Sequence, residues 1–389
     1  MKTVYLDNNA TTAVDPRVLE AMLPYFGALY GNPSSPYTLA QASRRAVEQA
    51  RSSVAGALGC RPESVVFTSG GTKSDNLAVK GAVFARAGRP CHVVTTSIEH
   101  HAVLTTCEYL ERRFGVAVTY LPVDGRGLVD PAAVERACGP DTALISVMFA
   151  NNEVGAIQPI GEIGRIARRL GVPFHTDAVQ AVGKVPIDVE ALQVDLLSLS
   201  GHKLYGPKGV GALYVRPGTP MDPLSHGGTH ERGLRAGTEN VPGIVGLGTA
   251  VRLCAEEMDA ERTRLARLSA RLQRGIVERV AEVTVNGAAD FRLPGTLNVS
   301  FHFVEGESVV LELDLAGIAT STGSACTTES MAPSHVLTAM GVEPNCAQGS
   351  VRFSIGRFNT DEDVDRVLEA LPPIVDRLRC ISPFWKGRA

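Results

Sequence analysis

The chain has 389 residues, 44% of them hydrophobic and 20% charged, with a formal net charge of −3. That length allows two domains around a large core. The balanced, interspersed charge excludes nucleic acid or an anionic membrane as the main partner, and no apolar run is long enough to span a bilayer. Residues 4–12 read as a short strand and a polar turn, with no signal-like apolar segment before them. Asp15 is placed to cap a helix that Pro16 begins. Residues 31–36 are a loop by composition. A helix is expected from about Leu39 to Leu58, stopped by Gly59. Strands are expected over 64–67, 91–96, 116–121, 143–148, 172–175, 194–199 and 211–215. Helical patterns fall over 130–137 and 160–170. This alternation implies a parallel, doubly wound sheet.

Residues 225–240 form a long, polar, glycine-rich loop of the kind that usually carries function. A helix-rich stretch from Pro242 to about Val280 links this part to a small α+β domain. That domain has strands over 295–301 and 351–354 and helices over 308–315 and 361–378. The expected division is a large domain over 15–258 and a small one from 1–14 and 259–389. Eight cysteines lie at irregular spacing without a C-x-x-C pair. They argue against a disulfide framework or a zinc site and fit a reducing, cytoplasmic setting.

The candidate chemistry sits just after strands. Lys203 follows an apolar run and a glycine, where loss of hydration would lower its pKa and make its amine nucleophilic. Asp177 ends another such run. A lysine that forms a Schiff base and a carboxylate that keeps a pyridinium protonated are what pyridoxal phosphate chemistry requires. The turn 68–76, with Gly70, Gly71 and Thr72 before a helix, suits a phosphate. It also reads as an ordinary capped strand–helix turn. One of His100 and His101 lies over a strand end, where an imidazole could stack on a ring and move protons. Cys326, in a run of small polar residues, reads as an exposed nucleophilic thiol. Arg352 could grip a carboxylate bidentately, or lie at the surface of an edge strand.

Together these stretches resemble the NifS/IscS-type cysteine desulfurases. The resemblance is carried by residues 5–12, 31–35, 68–76, 99–100, 151–155, 175–180, 200–209, 230–238, 297–301 and 321–326, in order along nearly the whole chain. It implies the aspartate-aminotransferase-type fold, with a mostly parallel doubly wound large domain and a small α+β domain. It further implies a homodimer that binds pyridoxal 5′-phosphate and converts L-cysteine to L-alanine. The sulfur is carried on Cys326 to an acceptor or iron–sulfur scaffold of the IscU/NifU kind. By position, Lys203 is the cofactor lysine, Asp177 the pyridinium partner and His100 the stacked acid–base. Asn152 and Gln180 contact the ring oxygen, and Asn152 also the substrate. Gly71, Thr72, Ser200 and His202 contact the phosphate, with Thr238 reaching it from the other subunit. Arg352 binds the substrate carboxylate. No resident metal is implied, Cys326 serving at most as a transient iron–sulfur ligand shared with a scaffold. Two residues depart from the family pattern: Lys73 stands where an acid is usual, and Tyr37 where a histidine often stands.

Overall fold

Gly59 shows how local chemistry punctuates this chain. It adopts the left-handed conformation (φ 69°) and ends the helix Thr38–Leu58 by donating its N–H back to that helix. Asp15 likewise accepts the Arg17 N–H at the start of the helix Pro16–Met22. The structure is a computed structural model and describes residues 3–86, 88–322 and 333–385.

Its strands are β1 Val4–Tyr5, β2 Val65–Thr68, β3 His92–Thr96, β4 Ala117–Leu121, β5 Thr142–Ser146, β6 Phe174–Asp177, β7 Leu196–Ser200 and β8 Gly211–Val215. They continue with β9 Val283–Asn286, β10 Thr296–Phe301, β11 Ile318–Ala319 and β12 Ser350–Ser354. The large sheet has the order β2-β8-β7-β6-β5-β3-β4. β5, β6 and β7 are buried along their whole length, because helices cover both faces.

The sheet is mostly parallel, and β8 is the exception. It runs antiparallel to both β7 and β2. The connection 201–210 is too short for a crossover helix, so the chain turns back beside β7. β6 and β7 begin two residues later than their apolar runs suggested, over 174–177 and 196–200.

The linking stretch is one continuous helix, Val241–Arg279, of 39 residues. At 1.5 Å per residue it is about 58 Å long. Val241, Ile244, Leu247 and Val251 pack into the core of the large sheet. Leu265, Leu268, Leu272 and Ile276 pack into a second core under the antiparallel sheet β12-β10-β9. Strand β9 on the edge of that sheet carries no strong sequence signal, since Val283 and Val285 are only partly buried and Thr284 is exposed. Val4 and Leu6 also enter the second core. The following residues, Asp7 to Thr12, therefore cross the boundary between the cores, above the strand ends of the large sheet. Among the described residues no helix is long and apolar enough to cross a membrane.

Candidate active site

The carboxyl ends of β2, β6 and β7 open onto one cavity of about 1150 Å³. Ligands of open α/β sheets bind at this edge, because loops leave the strands there and helix N-termini face it. The wall includes Gly71, Thr72, His100, Asn152, Asp177, Gln180, Ser200, His202, Lys203 and Arg352. Residues far apart in sequence thus meet in one place.

One end of the cavity is an anion cup. Gly70 (φ 142°) precedes the helix Gly71–Phe84, whose first N–H groups have no acceptor within the helix. A Cβ on Gly71 would stand 2.7 Å from Val179 Cγ2, so only glycine lets the turn approach this closely. Ser200 and His202 border the same end from the strand β7 side. His202 Nδ1 lies 3.2 Å from Thr11 Oγ1. Burial first, then Lys203 and Lys208, bring its imidazole down to about 4, so the ring is neutral at pH 7.

Lys203 leaves the turn after β7 and points back over the cavity floor. Its Nζ donates to the Asn9 and Ala10 carbonyls at 2.5 and 2.6 Å. Asp177 also lines the cavity and is 5% exposed, and its Oδ1 accepts the Val179 N–H at 2.9 Å. Burial raises its carboxyl to about 6, opposed by the Val179 N–H and the nearby Lys203. Below it lies a second buried acid, Asp75, whose Oδ1 has no hydrogen-bond partner. Burial and the neighbouring Asp177 push the Asp75 carboxyl well up. His175 separates the layers: Nδ1 pairs with Ser146 Oγ at 2.9 Å and Nε2 with Ser198 Oγ at 3.0 Å. Burial holds it neutral, down to about 3.

His100 caps the helix His101–Phe114 and faces the cavity. Its Nδ1 accepts the Ala102 N–H at 3.1 Å, which leaves the proton of the neutral ring on Nε2. Burial, then Lys203 and His101, bring its pKa down to about 4.

Arg352 sits on the edge strand β12 yet is 2% exposed. It is not a surface arginine, because the residues 7–9 and 152 close over it. Its Nη1 donates to the Asn152 carbonyl at 3.0 Å and its Nη2 to Asp7 Oδ1 at 2.7 Å, while its buried Nε has no partner. A buried guanidinium with donor capacity left over, on the wall of a cavity, has the chemistry to take a small carboxylate.

Thr238 is exposed on the glycine-rich loop and is absent from the wall of this cavity. That loop is tied to the large domain at Glu231, which pairs bidentately with the buried Arg51 at 2.8 and 2.9 Å and accepts the Phe67 N–H. Cys326 lies outside the described residues. Lys73 borders the anion cup but is exposed, so its charge is largely solvated, and Tyr37 is also exposed.

Sequence reasoning missed Asn9, Asp75 and Lys184. Asn9 carries the backbone oxygen that both Lys203 and Gln180 use. A polar residue in a turn carries no local sign of such a role. Lys184 had one available signal: it stands four residues after Gln180, the spacing at which helical side chains meet.

The residues present fit pyridoxal phosphate. A glycine-lined helix start suits the phosphate, and a buried carboxylate whose ordinary charge lacks a full partner suits a pyridinium. The Lys203 amine lines the same cavity. A profile of the class-V aminotransferase family matches residues 4–367. The chain is 54% identical over 383 residues to the cysteine desulfurase IscS of Methanosarcina thermophila, covering 98% of this chain and 94% of the relative. Among solved structures, a NifS-like protein superposes with a TM-score of 0.91 at 42% identity, covering 97% of this chain and 100% of the other. A structure titled SspA in complex with cysteine gives a TM-score of 0.83 at 41% identity, covering 92% and 100%.

Proposed function

Since the chain belongs to the class-V aminotransferase family, in the company of its cysteine desulfurases, we propose that it removes sulfur from L-cysteine and leaves L-alanine. The sulfur passes to Cys326 as a persulfide and on to an acceptor for iron–sulfur cluster assembly or other sulfur-requiring pathways. The observation that carries this reading is the convergence of Lys203, Asp177, His100 and Arg352 on one cavity.

Pyridoxal 5′-phosphate, when bound, supplies an electrophilic carbon for the substrate amine and a ring that takes up the electron pair left on Cα. Lys203 would hold it through Nζ. Gly71, Thr72, Ser200 and His202 would hold its phosphate, and Asp177 would keep a proton on its ring nitrogen. Arg352 binds the substrate carboxylate, and Asn152 lies beside it. Once substrate has replaced it, the Lys203 amine takes the Cα proton. His100 stands with Nε2–H toward the cavity, able to give a proton to substrate and take it back. The Cys326 thiolate attacks the substrate sulfur. The S–S bond forms as the Cβ–S bond breaks, its electron pair stays with Cβ, a proton completes the methyl group, and the Lys203 ammonium returns its proton to Cα to give alanine.

The working unit in this reading is a homodimer. Thr238 is exposed and absent from its own cavity wall, which supports a contact to the phosphate bound by a second copy. The described cysteines are free thiols, which supports a cytoplasmic setting.

The test is single-turnover mass spectrometry of the cofactor-loaded protein with L-cysteine, with alanine assayed in parallel. A gain of one sulfur on the Cys326 peptide together with alanine is expected. Cys326→Ala should keep the cofactor absorption and lose sulfur release. Sulfur release unchanged in that variant would refute the role of Cys326, and absence of alanine from the wild type would refute the desulfurase reading.

A further inference from the structure

Behind the cavity wall stands a second amine that the reaction as described does not use. Lys184 follows the turn after β6 and is partly buried. It is not part of the cavity lining; it borders a small void behind it, together with Asn9, Lys203 and Cys254. Its Nζ donates to Gln180 Oε1 at 2.9 Å and to Asn9 Oδ1 at 3.3 Å. On the other side of the same amide, Gln180 Nε2 donates to the Asn9 carbonyl at 2.9 Å. That carbonyl also accepts Lys203 Nζ.

A glutamine amide can be turned over with almost no change of shape, which exchanges donor for acceptor. Here the choice is made by chemistry. An ammonium has donors only, so the side of the amide facing Lys184 must be the oxygen. The side shared with Lys203 must then be the N–H₂ group. We propose that Lys184 is a positioning residue: it locks the Gln180 amide with its N–H groups toward the cofactor-bearing amine of Lys203, so that the cofactor's ring oxygen meets a donor and is kept as the anion.

This rests on Lys203 holding pyridoxal phosphate. Its consequence is electrostatic. A donor held on the ring oxygen favours the deprotonated form of the lysine–cofactor linkage, so the titration midpoint seen in the cofactor absorption is held low. The charged groups facing Lys184 are few. Lys203 and Arg352 lie on the cavity side, Cys254, Glu261 and Arg262 come from the long helix, and Arg357 from the turn after β12. Burial, then the positive charge of Lys203, already bring Lys184 itself down to about 7, with Cys254 acting in the opposite direction. An amine in such a place is retained against its own desolvation, so its hydrogen bonds to Gln180 and Asn9 are what it contributes.

The experiment is a spectrophotometric pH titration of the bound cofactor in the holoenzyme, without substrate. It compares wild type, Lys184→Met, Gln180→Ala and the double variant. Lys184→Met should move the midpoint upward by about one pH unit, a tenfold change in the protonation equilibrium. In the Gln180→Ala background the same substitution should move it by less than half as much, because the amide it acts through is gone. A midpoint unchanged in Lys184→Met would overturn the proposal. Equal shifts in both backgrounds would overturn it as well, since the lysine would then act as a distant charge alone. If Lys184→Met does not take up cofactor, Lys184→Gln removes the charge with little change in size, and its midpoint must also rise. A wild type without a cofactor band would instead refute the reading of Lys203, which separates the two failures.

Discussion

Replacing Arg352 with lysine should raise KM for L-cysteine about 10- to 150-fold while the cofactor spectrum stays in place. Arg352 is buried, with Nη1 on the Asn152 carbonyl and Nη2 on Asp7. Lysine keeps the charge but replaces a planar fork by a point donor, so one charged hydrogen bond to the substrate carboxylate is lost. Such a bond contributes about 1.5–3 kcal/mol, and about 1.4 kcal/mol is a factor of ten. Asp7 is the complication the structure adds. It already occupies one arm of the fork at 2.7 Å, so the substrate carboxylate must share or displace it, and the measured effect should fall toward the lower end. The assay is steady-state alanine formation against cysteine concentration, with cofactor absorbance recorded on the same samples. A KM within threefold of wild type would refute the assignment. A fall in kcat with KM unchanged would also refute it, because a residue that grips the ground-state carboxylate cannot act on turnover alone.

His100→Gln should lower kcat by about 10²–10⁴-fold, the usual contribution of a positioned general acid–base. In the wild type the acid limb of its titration should lie near pH 4, below the ordinary histidine value, since its pKa is lowered to about 4; a limb near 6.5 that His100→Gln removes would contradict this. Glu231→Leu should cost about 3 kcal/mol in urea unfolding, because it removes the buried bidentate carboxylate of Arg51 and leaves the guanidinium only the exposed Glu48 carboxylate at 3.2 Å. Arg51→Met with Glu231→Leu should recover part of that loss, and a loss below about 1 kcal/mol in the single variant would refute the reasoning. In the cofactor-free protein Glu99→Gln should remove a contribution to thermal stability that falls as pH rises from about 5 to 8. Burial raises Glu99 to about 8, so the folded carboxyl keeps a proton that the unfolded one has lost across that window. The stability difference between wild type and Glu99→Gln should therefore shift against the wild type with rising pH, and a difference independent of pH would refute the reasoning.

Much of the site was legible because strand ends are legible. Apolar runs stopped by glycine or a polar cluster marked the ends of β2, β6 and β7, and the polar residues just beyond them, Gly71, Asp177 and Lys203, were singled out from that alone. What such reasoning could not supply was depth. Arg352 reads equally well as an exposed edge-strand residue; it is buried only because residues 7–9 and 152 fold over it. Asp75 looks like a helix residue in the first turns after a glycine pair. Its carboxyl is enclosed because β6 and β7 pass beside that helix and bring His175 and Asp177 against it.

Local sequence determined the elements, their caps and the polar groups presented at their ends, because dihedral preference, capping and apolar periodicity act over a few residues. The tertiary structure decided the single helix that spans both cores and the meeting of Gln180 and Lys203 on the Asn9 carbonyl oxygen. Those depend on contacts between segments more than a hundred residues apart, and the burial that turns an ordinary carboxylate, imidazole or amine into a tuned one is a property of that packing.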